Sequence, residues 1–208
     1  MGVRLVYETH SITVDNEAGI ATGWLPGELS RAGREAAAEL GARRRDVDVV
    51  YASDLRRAVQ TAEIAFGGGR EVRLDARLRE CGYGVYDGRP VREVAELRRR
   101  HIDRPWPGGQ SYREVVAATE AFLEEVLRAE WQGCSVLVIA HSANRWALQY
   151  LLDGVPLEEL VGGAVRVAAG VGVPAGVKAG WRCGLGYDTL GWGPVGWGVM
   201  TRCRSRCS

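Results

Sequence analysis

The chain has 208 residues and a formal net charge of +1; 46% of its residues are hydrophobic and 25% are charged. These values are typical of one globular domain, and they lack the charge bias of proteins that bind nucleic acids or anionic membranes. The sequence shows neither an apolar stretch long enough to cross a bilayer nor the apolar segment of a signal peptide. We therefore expect a cytoplasmic protein with no nucleic-acid or membrane partner.

The composition changes near residue 163. Residues 162–208 hold 12 of the 28 glycines and six basic residues against one acidic residue, without a helical or strand period. We expect one domain over residues 1–163 and a disordered tail rich in Gly, Trp and Arg over residues 164–208. Two interpretations of the tail stay open, a functional extension and a shifted reading frame. One choice of codons for residues 167–178, translated without its first base, encodes a short aromatic segment and then a stop, so the coding DNA decides between them.

The body alternates predicted strands and helices. In chain order we expect a strand at Val3–Tyr7, a helix after Ser30, a strand at Val47–Ala52, a helix capped by Ser53 or Asp54 that stops at Gly67, and a strand at Val72–Leu74. There follow a helix from Pro90 to a surface residue His101, a helix that begins at the capping box Ser111–Glu114, a buried strand at Ser135–Ala140 and a helix at Asn144–Leu152. This alternation predicts an α/β three-layer sandwich, in which a mostly parallel sheet has helices on both faces.

Two of the three histidines directly follow predicted strands, His10 after the first strand and His141 after the strand at 135–140. Ligands of such sheets bind beyond the carboxyl ends of the strands, and Arg57 follows a third strand end. Two imidazoles and a guanidinium at one sheet edge suit a tetrahedral anion. For each residue alone the alternative is structural: a satisfied histidine at a strand end, or a solvated arginine. The cysteines show no zinc-ligand spacing, and we expect no metal and no cofactor.

The body resembles the histidine phosphatase superfamily, the phosphoglycerate-mutase-like proteins. The longest match is residues 53–62, Ser-Asp-Leu-Arg-Arg-Ala-Val-Gln-Thr-Ala, against the family pattern Ser-Asp-Leu-x-Arg-Ala-x-Gln-Thr-Ala. Shorter matches occur in the family's order at Thr9-His10-Ser11, Asn16, Thr22-Gly23-Trp24, Leu78-Arg79-Glu80, Gly84–Gly88, Pro107–Ser111 and Ala140-His141-Ser142. The resemblance covers about residues 3–160 and implies the phosphoglycerate-mutase-like fold.

The resemblance also implies roles for individual residues. His10 would attack phosphorus and form a phosphohistidine, while Arg57 and His141 would hold the phosphoryl oxygens. Glu80 would protonate the leaving alcohol and then activate water, which needs a raised pKa; its alternative is a surface carboxylate paired with a neighbouring arginine, Arg77 or Arg79. The implied substrate-binding positions are Thr9, Ser11, Asn16, Thr22, Gly23, Arg57 and Ser142.

Two positions depart from the family pattern. Thr9 stands where the family has arginine, and Ser11 stands where it has glycine. A charge-assisted hydrogen bond is worth about 1.5–3 kcal/mol, so its loss predicts reduced activity unless other groups compensate. Candidate compensating groups are the hydroxyls of Thr9, Ser11 and Thr13 and the guanidinium of Arg145. Glu8 would repel phosphate unless an arginine neutralises it.

The expected function is hydrolysis of a small phosphorylated metabolite through a phosphohistidine, in a monomer or homodimer. The interval between Glu80 and His141 is short for the mutase branch, which leaves water access and favours hydrolysis. Thr22-Gly23-Trp24 nevertheless resembles the mutase branch, so phosphoglycerate-mutase-type transfer is an alternative. A catalytically weak phosphate-binding protein is another, because of Thr9.

Overall fold

The computed structural model describes residues 3–127, 131, 133–162, 185–187 and 200–202. The strands are β1 (Arg4–Thr9), β2 (Ile20–Ala21), β3 (Val49–Ala52), β4 (Val72–Leu74), β5 (Arg89–Pro90), β6 (Ser135–Ala140), β7 (Leu185–Tyr187) and β8 (Met200–Arg202). The helices are α1 (Val14–Glu17), α2 (Arg31–Arg43), α3 (Arg56–Phe66), α4 (Val91–Leu97), α5 (Tyr112–Leu127), α6 (Ser142–Leu148) and α7 (Leu157–Val161). Short 3₁₀ turns lie at Ala76–Leu78, Gly84–Tyr86 and Arg98–His101, and α6 continues into a π turn at Gln149–Asp153.

A parallel sheet with the strand order β1-β6-β3-β4 forms the centre of the fold. Successive residues of β6 point to opposite faces, as in any strand. Leu137 and Ile139 pack in one core with residues of α2 and α3, whereas Val136 and Val138 pack in a second core with residues of α5. Both faces of the sheet are therefore covered by helices, which confirms the predicted α/β three-layer architecture.

Three of the predicted helix ends are confirmed, whereas β1 runs from Arg4 to Thr9, β3 begins at Val49 and α6 begins at Ser142, each shifted by one or two residues from its predicted bounds. The hydroxyl of Ser30 accepts from the backbone N–H of Gly33 at the start of α2. Ser111 and Glu114 exchange the two bonds of a capping box before α5. Gly67 follows α3 at its C-terminus, as expected.

The predicted cap of α3 is wrong. The N-cap residue is Leu55, and no side chain caps the helix. The hydroxyl of Ser53 instead accepts from the backbone N–H of Leu55, and the carboxylate of Asp54 forms an ion pair with Arg79 at 2.5 Å. The arginine competes for the carboxylate from a segment 25 residues further along the chain.

The predicted surface position of His101 is also wrong. The 3₁₀ turn after α4 places this imidazole in the interior, where it stacks on Trp106 with ring centroids 3.9 Å apart. Its Nδ1 lies 3.1 Å from the carbonyl oxygen of Arg104. The stacking contact with Trp106 in the following loop therefore keeps His101 buried, although three arginines precede it in the sequence.

The tail lies almost wholly outside the described residues. Its described parts are β7 and β8, which pair antiparallel. The domain boundary near residue 163, the disorder of the tail and the choice between an extension and a shifted frame stay predictions. Within the described ranges, no helix combines the length and apolar character needed to cross a membrane.

Candidate active site

The pairing of β1 with β6 brings two imidazoles together. The register aligns Thr9 with Ala140, so the next residues, His10 and His141, leave neighbouring strands at the same level. The backbone N–H of His10 donates to the carbonyl of Ala140 at 2.9 Å. The ring centroids of His10 and His141 are 5.0 Å apart, with 53° between the ring planes. The expected meeting of the two rings at the carboxyl ends of the strands is therefore found.

The hydrogen bonds of His10 determine its tautomer. Its Nδ1 lies 2.8 Å from the carbonyl oxygen of Ser11, which can only accept, so Nδ1 carries the hydrogen. Its Nε2 therefore has the free lone pair, and the Nε–H of Arg57 donates to it at 3.2 Å. Burial and the positive charge of Arg57 lower the pKa of His10 to about 3. At neutral pH His10 is a neutral imidazole whose Nε2 can act as a nucleophile.

Arg57 is buried in the first turn of α3, with 2% of its surface exposed. Its Nη2 donates to the carbonyl of Gly23 at 2.8 Å, and its Nη1 donates to the carbonyl of Leu25 at 3.4 Å. Gly23 has φ +54°, and a Cβ atom there would lie 1.7 Å from Oδ1 of Asp87. Backbone carbonyls from a segment that only glycine can form therefore orient the guanidinium.

His141 is the N-cap residue of α6 and has no exposed surface. Neither of its ring nitrogens has a hydrogen-bond partner among the described residues. The ring of His141 nevertheless has a polar neighbour, the imidazole of His10. Burial, with the charge of Arg57, holds the pKa of His141 well below its usual value. A buried imidazole with two unsatisfied nitrogens is costly, and such groups concentrate at functional sites.

The side chain of Glu80 lies inside the protein, and the alternative surface ion pair is excluded. Oε1 of Glu80 accepts from the backbone N–H groups of Cys81 at 2.8 Å and Ala143 at 3.3 Å. Arg77 and Arg79 instead pair with two aspartates, Asp75 and Asp54. Burial raises the pKa of Glu80, and the charges of Arg57 and Arg98 act in the opposite direction. Since Oε1 accepts two hydrogen bonds, Oε2 is the oxygen that can carry a proton.

Three of the predicted binding positions lie next to the two histidines in the chain. Thr9 is half-buried at the end of β1, and Ser142 is half-buried at the start of α6. Ser11 is fully buried, its backbone N–H donates to the hydroxyl of Thr61 at 3.0 Å, and its own hydroxyl has no partner in the described part of the chain. Of the predicted compensating groups, the Ser11 hydroxyl is thus a buried donor that follows His10 directly in the chain.

The remaining predicted positions make local contacts. Asn16 is exposed, and its Oδ1 accepts from the backbone N–H of Thr13 in the capping box of α1, while the Thr13 hydroxyl accepts from the Asn16 N–H. The hydroxyl of Thr22 donates to Asp15 at 2.9 Å. The charge of Arg145 acts on the buried hydroxyl of Tyr7. Of these predicted positions, Gly23 contacts Arg57, because its backbone carbonyl accepts a hydrogen bond from the guanidinium.

Glu8, whose charge would repel phosphate, is paired with arginines at the end of α2. This carboxylate is fully buried, and Oε1 lies 2.7 Å from Nη2 of Arg44 and 3.5 Å from Nη2 of Arg43. Two arginines at the C-terminal end of α2 therefore neutralise the anion that precedes Thr9 and His10.

Four further residues of the site had no predicted role. Tyr7 donates its hydroxyl to the backbone carbonyl of His141. Thr61 contacts the backbone beside His10, Asp87 accepts from the Trp24 N–H, and the Arg98 charge reaches Glu80. Thr61 lies in the family match at residues 53–62 and Asp87 in the match at Gly84–Gly88, so a signal existed for these two residues. Among the described residues, no group of side chains could hold a metal ion.

The chain is similar to known proteins in sequence and in structure. Residues 9–171 match the model of the histidine phosphatase superfamily (branch 1). Phosphoserine phosphatase 1 of Hydrogenobacter thermophilus is 33% identical over 168 residues, covering 76% of this chain and 79% of that protein. A 2,3-bisphosphoglycerate-dependent phosphoglycerate mutase of Chelativorans sp. is 31% identical over 188 residues, covering 82% and 90%. The solved mycobacterial glucosyl-3-phosphoglycerate phosphatase in complex with VO3 is 32% identical, with a TM-score of 0.65 over 76% of this chain and 85% of that chain.

Proposed function

The chain belongs to branch 1 of the histidine phosphatase superfamily, and on this basis we propose that it hydrolyses small phosphomonoesters through a phosphohistidine at His10. The observation that carries the proposal is the geometry around Nε2 of His10. The lone pair on this nitrogen accepts from Arg57 at 3.2 Å, and the centroids of the His10 and His141 rings are 5.0 Å apart. A neutral nucleophile, a cation and a second imidazole thus surround one point beyond the strand ends.

The first step transfers the phosphoryl group to the protein. Nε2 of His10 attacks phosphorus, a P–N bond forms, and the P–O bond to the leaving alcohol breaks. Arg57 exchanges its bond with His10 for bonds to the phosphoryl oxygens, and a ring N–H of neutral His141 donates to another oxygen. Oε2 of Glu80 gives its proton to the leaving oxygen, a role that the raised pKa of this buried carboxyl supports.

The second step regenerates the protein. The Glu80 carboxylate accepts a proton from water, the water oxygen attacks phosphorus, and the P–N bond breaks to release inorganic phosphate. His10 returns to a neutral imidazole, and Glu80 is again protonated. Burial of the side chains of Arg57 and Glu80 strengthens the electrostatic interactions that they make in both steps.

Phosphoserine phosphatase and glucosyl-3-phosphoglycerate phosphatase among the relatives support hydrolysis of small phosphorylated metabolites. A second candidate is phosphoglycerate-mutase-type transfer, which the mutase relative from Chelativorans favours. No comparison favours a protein of reduced activity. The cytoplasmic location and the monomeric or dimeric state stay predictions.

Chemical trapping tests the proposal. The protein is mixed with a ³²P-labelled phosphomonoester and quenched in alkali, in which phosphohistidine survives, and the labelled peptide is identified. We expect an acid-labile label on the peptide that contains His10 and no label in His10→Asn. The matched control is His101→Asn, which removes a histidine that lies outside the site and should keep the label.

Analysis of the reaction products separates the candidate functions. Release of inorganic phosphate supports hydrolysis, whereas interconversion of 3- and 2-phosphoglycerate without phosphate release supports the mutase. Binding of phosphate without turnover of para-nitrophenyl phosphate above His10→Ala would leave a phosphate-binding protein.

A further inference from the structure

Thr61 lies in α3 between the segment that carries His10 and the helical turn that carries Arg57. Its side chain is fully buried, and its hydroxyl takes part in two hydrogen bonds. The hydroxyl accepts from the backbone N–H of Ser11 at 3.0 Å and donates to the backbone carbonyl of Arg57 at 2.7 Å. Since a carbonyl only accepts and an N–H only donates, both directions are determined.

These bonds are part of a closed ring of contacts. Nδ1–H of His10 donates to the carbonyl of Ser11, and the N–H of Ser11 donates to the hydroxyl of Thr61. The hydroxyl of Thr61 donates to the carbonyl of Arg57, whose Nε–H donates to Nε2 of His10. Each of the four bonds is 3.2 Å or shorter. Thr61 joins the ring through its side chain, whose hydroxyl bonds to backbone groups and not to the nucleophilic nitrogen or the guanidinium.

We propose that Thr61 is a positioning residue, which sets the placement of His10 relative to Arg57 by holding the two backbone segments that carry them. The inference rests on the proposed function, because it assigns these two side chains to phosphoryl transfer. A threonine in a helix commonly donates to the carbonyl four residues earlier, and that bond alone would carry no inference. The bond from Ser11 is different, because it joins the segment after β1 to α3 across the site.

Loss of the hydroxyl leaves the buried N–H of Ser11 without an acceptor and releases the His10 segment from α3. Reacting groups displaced by about 1 Å can lose about 10²-fold in rate. Because Thr61 does not contact the phosphoryl group in this scheme, we expect kcat to fall and KM to change little. A loosened imidazole also escapes the Arg57 charge and gains solvent, so the pKa of His10 should rise towards its usual value.

The test compares Thr61→Val, which keeps the shape without the hydroxyl, with Thr61→Ser, which keeps the hydroxyl. Thr119→Val is the matched control, because Thr119 is buried in α5 and its hydroxyl has no partner among the described residues. We expect kcat to fall about 10- to 100-fold in Thr61→Val, to recover for the most part in Thr61→Ser, and to stay unchanged in Thr119→Val. A Thr61→Val protein as active as Thr119→Val would overturn the proposal.

A second measurement does not depend on turnover. Nitrogen-15 NMR of the histidine rings reports the tautomer and pKa of His10, and we expect a higher pKa in Thr61→Val alone. An unchanged pKa and tautomer would contradict positioning by Thr61. If Thr61→Val does not fold, Thr61→Ala replaces it, and fast hydrogen exchange at the Ser11 amide of the unaltered protein would equally overturn the proposal. Absence of phosphohistidine in the unaltered protein would refute the proposed function. The NMR measurement would still show whether Thr61 positions His10.

Discussion

The Nε–H of Arg57 donates to Nε2 of His10 at 3.2 Å, so the arginine lies on the lone pair that would attack phosphorus. Binding of a phosphoryl group has to separate these two atoms, and the freed N–H then becomes a donor to the phosphoryl oxygens. The carbonyls of Gly23 and Leu25 hold the other end of the guanidinium during this exchange.

Arg57→Gln should weaken both binding and the transition state. Loss of charge-assisted hydrogen bonds worth about 1.5–3 kcal/mol each predicts a fall in kcat/KM of at least about 10- to 100-fold. Removal of the positive charge should also raise the pKa of His10, which that charge lowers. Steady-state kinetics and an NMR titration measure the two effects. Arg56→Gln is the control, since Arg56 is the exposed neighbour of Arg57, pairs with Glu28, and should affect neither quantity when it is replaced.

Glu80→Gln should lower the rate most for poor leaving groups. Its amide oxygen can still accept from Cys81 and Ala143, so the fold should be kept. The amide has no proton to give, which predicts a loss of about 10²- to 10⁴-fold on an alkyl phosphate. The loss should be smaller on para-nitrophenyl phosphate, whose leaving group needs little protonation. Equal losses on both substrates would argue against a general acid at Glu80.

The alkaline limit of activity should depend on Arg98. Burial raises the pKa of Glu80, and the positive charge of Arg98 lowers it. Arg98→Met removes that charge while leaving an apolar chain against Trp146, over which the guanidinium lies at 5.1 Å. The pKa of Glu80 should therefore rise, and the fall of kcat/KM at alkaline pH should move to higher pH. Arg100→Met, at an exposed neighbour, should leave the profile in place.

Gly23→Ala should damage the site more than Gly19→Ala. Both glycines have positive φ, +54° and +69°, so alanine is strained at either position. A Cβ at Gly19 meets nothing within 4 Å, whereas a Cβ at Gly23 would overlap Asp87 and displace the carbonyl that holds Arg57. We expect both variants to lose about 1 kcal/mol of stability from backbone strain, and Gly23→Ala to lose more, together with activity. Chemical denaturation measures the stability of both variants, and kcat/KM measures their activity. Equal losses of stability and activity in Gly23→Ala and Gly19→Ala would contradict the contact with Asp87.

Thr9→Arg tests whether the replaced arginine limits the rate. A guanidinium at this half-buried strand end would add a cation beside His10, and we expect kcat/KM on small phosphomonoesters to rise about tenfold or more. Thr9→Gln, of similar reach but uncharged, is the control for size. Unchanged rates in Thr9→Arg would mean that the existing donors already suffice.

Features encoded by nearby residues could be predicted from the sequence, and features that depend on distant partners could not. The run Ser135–Ala140 predicts β6 and the position of His141 because its apolar residues are contiguous and end abruptly. The cap of α3 was mispredicted because Arg79 approaches from a distant segment, and the surface position of His101 because the shape of the following loop, which places Trp106 against the imidazole, is not evident from the sequence. The tautomer of His10 and the ring of bonds through Thr61 likewise require knowledge of which backbone groups meet.

The alignment of Thr9 with Ala140 has an evolutionary consequence. A deletion or insertion of a single residue inside β1 would shift His10 to the opposite side of the sheet, because side chains alternate along a strand. The chain could then still collapse around its sheet while its chemistry vanished. Length variation among descendants of this protein should accordingly be tolerated between α2 and β3 and purged within β1 and β6.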